Sequence, residues 1–142
     1  MKLVIIDGQG GGMGRALVER IKDALPDQPI LAVGTNALAT NAMIKAGADA
    51  GATGENAVVV NCRDADVVAG PMGIVLADAL MGEMSPRMAQ AVGACGACKV
   101  LLPTGKCRVR VAGAQQLTPS QAVEAAVREI LDILNKGTCT HG

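Results

Sequence analysis

The chain has 142 residues, half of them hydrophobic, and its 13 basic and 13 acidic side chains cancel to a formal net charge of zero. That length and balance fit one compact domain and exclude a disordered chain, and zero net charge gives no general pull toward nucleic acid or anionic membranes. No Phe, Tyr or Trp occurs, which excludes modules that stack bases on aromatic side chains and leaves core volume to Leu, Ile, Val and Met.

The first element is the short apolar run Lys2–Ile6, read as a strand and ended by Asp7-Gly8. A helix from Gly12 to Leu25 follows, with Leu17, Val18, Ile21 and Leu25 on one stripe and Pro26 as its stop. Pro29–Gly34 reads as the second strand. Thr35–Gly47 reads as a helix capped by Thr35 or Asn36 and stopped by Gly47. In the next stretch, Thr53 or Asn56 caps a short helix through Arg63 before a buried strand Asp66–Gly70. The alternative makes Ala57–Asn61, with its three valines, a strand; the helix is preferred because parallel strands need a crossover.

After Pro71, Ser85 caps a helix with Pro86 at its first position. Lys99–Pro103 reads as a central strand, and Thr104-Gly105-Lys106 as a turn. Cys107–Gly113 alternates strictly, as an antiparallel edge strand with Arg108 and Arg110 facing water would. The last helix starts at Thr118-Pro119 and carries Val123, Val127, Ile130, Leu131 and Leu134 on one apolar stripe. The expected fold is therefore a three-layer, Rossmann-like α/β domain over residues 1–136, mostly parallel with one antiparallel edge strand, followed by a flexible tail 137–142.

No apolar run reaches the roughly 20 residues of a bilayer span, and "MKLVIIDGQ" turns polar too early for a cleavable signal. The expectation is a cytoplasmic protein with neither membrane nor nucleic-acid partners. Its many small apolar residues point to exposed flat helix faces and hence to a homo-oligomer.

The stretch Asp7–Ala16, "DGQGGGMGRA", carries the strongest functional signal. Glycines let a backbone approach phosphate oxygens, and a helix N-terminus turns free N–H groups toward them. Gly8, Gln9, Gly10, Gly11, Gly12, Met13 and Gly14 are thus candidates for the phosphate; the opposing reading is a turn that merely packs the first helix on the sheet. The dinucleotide spacing G-x-G-x-x-G fails in every frame. Gly8, Gly12 and Gly14 instead give G-x-x-x-G-x-G, a spacing that resembles short-chain dehydrogenases, with Asp7 where that family has threonine. Asp7 is a candidate catalytic residue, through a Mg²⁺ ion or a sugar hydroxyl, or else a cap on the loop itself.

The second strand ends in "VGTNALAT", without the acid that holds an NAD ribose. Thr35 and Asn36 are left to hold a sugar. Together, "IDGQGGGMG", "VGTNALAT", "AGADAGATGENA", "DVVAGPMGI", "LMGEMSPRMA" and "KVLLPTGKC" resemble the family known as domain of unknown function 3842, from Met1 to about Lys136. That resemblance implies a Rossmann-like fold and no activity. A looser one, to tubulin-like cell-division GTPases, rests on "GQGGGMG", "GTNALAT", "GATGEN" and "GPMG" in the same order. It implies loops converging at the C-terminal ends of successive strands, but "GPMG" departs from that family's long glycine signature.

Thr53, Gly54, Glu55 and Asn56 form the next polar cluster, with Glu55 a candidate base or sugar ligand, or a charge favoured at a helix N-terminus. Gly70 and Gly73 would complete the cradle. The five cysteines do not describe a disulfide framework. Cys95, Cys98 and Cys107 read as ordinary thiols more readily than as a zinc or redox site, for which Cys62, Cys139 or His141 would have to supply a further ligand. The expected ligand is a phosphorylated small molecule, a nucleotide or NAD(P), with Mg²⁺ admissible. An oxidoreductase is the first enzyme class to test, although the absence of tyrosine removes the Tyr-x-x-x-Lys chemistry of short-chain dehydrogenases. The alternative is a non-catalytic nucleotide or metabolite sensor or scaffold subunit.

Overall fold

The computed structural model describes residues 1–104 and 107–140. Part of the expected 104–106 turn, and His141, lie outside them. The elements run β1 (Leu3–Asp7), α1 (Gly12–Ala24), β2 (Ile30–Gly34), α2 (Ala37–Lys45), β3 (Ala50–Thr53), α3 (Glu55–Cys62), β4 (Val67–Pro71), a 3-10 turn (Met72–Val75), α4 (Pro86–Ala94), β5 (Cys98–Leu102) and α5 (Pro119–Lys136). The strands form one sheet in the order β3-β2-β1-β4-β5, and all four pairings are parallel.

Parity along the central strands builds the two cores. Leu3 and Ile5 of β1, Ile30 and Ala32 of β2, and Val67 and Ala69 of β4 face Leu17, Val18 and Ile21 of α1, Met43 of α2 and Ile130 of α5. Val4, Ile6, Val33 and Val68 point the other way, toward Val58 and Cys62 of α3 and Met88 and Val92 of α4. Strands covered on both faces read as continuous apolar runs rather than alternating ones, and β1 and β4 are of that kind. The result is the expected three-layer, Rossmann-like α/β fold, with α1, α2 and α5 on one face and α3 and α4 on the other.

The caps fall largely where the sequence places them. The Asn36 side chain accepts from the Ala39 N–H, Ser85 from Met88 and Thr118 from Gln121. Gly47, with φ 121°, follows α2. Four readings need correction. Residues 50–53, unassigned from sequence, form edge strand β3. Part of the missing strand signal has a packing cause: a side chain at Gly51 would run into Ile44 and Thr40 of α2. The cap of α3 is Gly54, without a side-chain bond, not Thr53 or Asn56. β5 is an outer strand, paired among the described residues to β4 alone, and not a central one. Residues 108–111 form no strand: they are exposed, have no partner strand among the described residues, and alternate in pattern only.

The cysteines give a fifth difference. Cys98, at the start of β5, is joined to Cys139 with a Cα–Cα separation of 5.6 Å, within ordinary disulfide reach. Gly137 takes a left-handed φ of 69° at the end of α5 and turns the tail toward β5. Composition alone read that tail as free. No helix among the described residues is long and apolar enough to cross a membrane.

Ile130 is fully buried where α5 meets the sheet. Ile130→Ala is expected to lower unfolding stability by about 2–5 kcal/mol, read by urea denaturation followed by circular dichroism.

Candidate functional site

Strand order reverses between β1 and β4, so the loops after these two strands flank the crevice where open parallel sheets bind ligands. The glycine loop lies on one side of this switch point. Its first feature follows from parity: Asp7, two residues after Ile5, faces the helical layer that holds α1. The carboxylate therefore lies beneath the α1 N-terminus and is buried. Oδ1 accepts from the Gly8 N–H at 2.8 Å and Oδ2 from the Gly14 N–H at 2.7 Å. Asp7 thus closes the loop across α1's first turn, the cap role among those weighed from sequence. Burial pushes its pKa up, and the N–H groups of Gly14, Gly8 and Met13 oppose that rise.

The glycines divide into two kinds. A side chain at Gly14 would strike Met43 Sδ at 2.5 Å and Asp7 Cβ at 2.9 Å, and one at Gly11, whose φ is 71°, would strike the Ala39 backbone at 2.7 Å. A side chain at Gly8 would meet Thr35 Oγ1 at 2.5 Å and Leu80 Cδ1 at 2.8 Å. These three are small because the loop is tightly enclosed. Gly10 and Gly12 differ: a Cβ on either meets nothing within 4 Å. They are exposed, and they are where a ligand has room.

Thr35 and Asn36 reach the same place from β2. Asn36 Nδ2 donates to the Gln9 carbonyl at 3.0 Å. The group that unites loop and strand end, however, is one the sequence did not single out, Glu83. Its Oε1 accepts from the Gln9 N–H at 2.9 Å, from Thr35 Oγ1 at 2.7 Å and from Asn36 Nδ2 at 2.6 Å. The Gln9 N–H, followed by the Thr35 hydroxyl and the Asn36 amide, holds its pKa below the ordinary glutamate value despite partial burial. No local pattern could have found Glu83, since it lies 74 residues from Gln9 and 48 from Thr35.

The remaining candidates are spread wider. Gly73 lies beneath Ala79, Leu80 and Cys107, on the β4 side of the crevice. Gly70 is buried inside β4, where a side chain would collide with the Ile6 carbonyl of β1, so it serves the close approach of two strands. Gly54, Glu55 and Asn56 follow edge strand β3. Glu55 Oε2 accepts from Ser85 Oγ at 2.7 Å, and Oε1 lies 3.4 Å from Arg87 NH1. Glu55 therefore joins the N-termini of α3 and α4 and has no hydrogen bond to the glycine loop among the described residues. In that same set no three His, Cys, Asp or Glu side chains come together as a metal site would require. Cys62 is buried beside Cys95, and burial pushes its thiol up to about 11, which keeps it protonated and unreactive.

The sequence profile described as "Domain of unknown function (DUF3842)" matches residues 2–135. The chain belongs to this family. No curated protein matches it. Among solved structures it is similar to a dodecameric FMN-dependent UbiX-like decarboxylase from Escherichia coli O157:H7, with a TM-score of 0.53, 19% identity and 95% of each chain covered. At that identity the likeness shows the shared Rossmann-like α/β fold.

Two predictions follow from the paired carboxylates. Asp7→Asn offers one acceptor where two N–H groups need one each, so stability should fall by about 1–3 kcal/mol in urea unfolding. Glu83 titrates lower in the fold than unfolded. Its contribution is therefore present above the ordinary glutamate range and lost as pH falls below about 4. Thr35 and Asn36 side-chain signals in an NMR titration should move through that window in the wild type and stay still in Glu83→Gln.

Proposed function

We propose that this family member binds the phosphate of a nucleotide or flavin nucleotide in the crevice between β1 and β4. The observation that carries the reading is the pair of open glycines, Gly10 and Gly12, at the N-terminus of a 13-residue helix beside the strand-order switch point. The positive end of the helix dipole and approachable backbone N–H groups suit an anion there. Gly10, Gly12 and Met13 would take the phosphate, Thr35 and Asn36 the sugar or ribityl hydroxyls, and Gly73 the far wall. With no aromatic residue in the chain, a base or isoalloxazine ring would rest on aliphatic side chains and peptide planes.

The FMN dependence of the similar decarboxylase makes FMN the first ligand to try, with NAD, NADP and ADP beside it. A bound flavin or nicotinamide would supply redox chemistry; this chain would hold and orient it. Catalysis is not needed for the reading. Asp7 and Glu55 are both engaged in hydrogen bonds inside the protein, which favours a binding or sensing role over acid–base work by either. Self-association is part of the proposal, since α2 presents Leu38 at 68% and Ile44 at 42% exposure and the similar decarboxylase is a dodecamer.

Gly12→Val separates binding from packing, because its side chain enters open space at an unstrained position. Native mass spectrometry and calorimetry with FMN, NAD, NADP and ADP should show binding to the wild type that weakens by about tenfold or more in the variant. The melting temperature should stay unchanged. Failure of all four ligands to bind the wild type would reduce the loop to a packing turn.

A further inference from the structure

Between the 3-10 turn and α4 the chain makes a compact loop, Leu76–Met84, closed mainly on itself. The Asp78 N–H donates to the Met84 carbonyl at 2.7 Å, Gly82 to Asp78 at 3.2 Å and Glu83 to Leu80 at 3.1 Å. Its base is fixed by fully buried Met84, and just beyond it Ser85 is bonded to Glu55. Its tip is held far less. Met81 is 93% exposed, and Asp78, Leu80 and Met81 adopt left-handed φ values of 64°, 56° and 56° that non-glycine residues rarely take.

This strained segment is held down by Glu83 and by Ala79 and Leu80, which pack on the core beside Gly73, with Leu80 also lying over Gly8. All three donors to Glu83 converge on one oxygen, Oε1, while Oε2 accepts no hydrogen bond among the described residues. A backbone N–H from a left-handed residue (Gln9, φ 49°), a hydroxyl and an amide meeting at one point form an oxyanion subsite. It sits on the same turn as Gly10 and Gly12.

We infer that the Leu76–Met84 loop is a lid that closes the crevice with its own carboxylate, Glu83 occupying the donors Gln9, Thr35 and Asn36, and that a phosphate-bearing ligand, whose sugar or ribityl oxygens would use the same donors while its phosphate sits at Gly10, Gly12 and Met13, binds by displacing it. This rests on the phosphate reading above. The strain at Asp78, Leu80 and Met81 favours release of the tip once the carboxylate is replaced, while Met84 stays anchored in the core as the hinge end. Affinity is then reduced by the fraction of molecules in which the lid is closed.

The test compares FMN and ADP binding to wild type, Glu83→Ala and Glu83→Gln, by calorimetry and, for FMN, by fluorescence polarisation. Circular dichroism verifies the fold of each variant, and Glu83→Gln carries the test should the alanine variant not fold. The lid predicts that Glu83→Ala binds about tenfold tighter than wild type and Glu83→Gln by a smaller factor in the same direction. Binding that is weaker than, or equal to, that of the wild type would overturn the lid while leaving the phosphate site standing. No binding by wild type or either variant would overturn the phosphate reading, and the lid with it.

Discussion

A buried carboxylate beneath a helix N-terminus sets the geometry of the whole crevice. Period-two alternation along β1 sends Leu3, Ile5 and then Asp7 to one face, so the strand's last side chain enters the core as a charge-bearing group. Burying it is tolerable only because the first turn of α1 presents N–H groups that would otherwise lack partners. Two needs are met by one contact. The loop's path, the start of α1 and the seat of Met43 against Gly14 all depend on it.

A second carboxylate faces the same turn from outside. Asp7 is enclosed, and burial raises its pKa; Glu83 is partly solvated, and its donors lower it. The glycine turn is thus bracketed by two acids of opposite character, one belonging to the fold and the other standing where a ligand's oxygen would suit the same donors. Cavities of about 360 and 330 Å³ lie on either side of α1, against α2 and α5; neither is lined by Gln9, Thr35 or Glu83, but the second takes Gly12 and Met13 into its wall beside Pro119 and Val123. The crevice itself is filled by the Leu76–Met84 loop.

Most of the fold could be read from the chain because apolar runs and caps are local signals: β1, α1, α2, α4 and α5 follow from periodicity with Asn36, Ser85 and Thr118 as caps. The glycine loop and its neighbours Thr35 and Asn36 were legible for the same reason. β3 was not, since its Gly51 answers to the packing of Ile44 and Thr40, and two alanines and a glycine among its four residues leave little strand propensity. The rank of β5 was also hidden, because an outer strand covered by α5 has the same apolar pattern as a central one. Glu83 lay beyond reach for a different reason: its role exists only once two strand ends, those of β1 and β2, and a distant turn have been brought together. Which glycines are open and which enclosed is likewise a property of tertiary packing, and sequence treats all five as equivalent.

The Cys98–Cys139 bond encloses α5 in a covalent ring spanning 41 positions. Closing a loop of that length removes denatured-state entropy worth about 4 kcal/mol in the chain-entropy treatment, an appreciable share of the stability of a domain this size. Oxidised, the last helix is anchored beside β5 at both ends, through the chain before it and through Cys139 after it, which shortens the search for its seat when local unfolding detaches it. Reduced, the same helix is anchored by the chain at its first end only and held on the sheet by its apolar stripe and the Arg20–Glu124 ion pair. The bond thus joins the C-terminal end of the helix that covers one face of the sheet to the sheet's own outer strand.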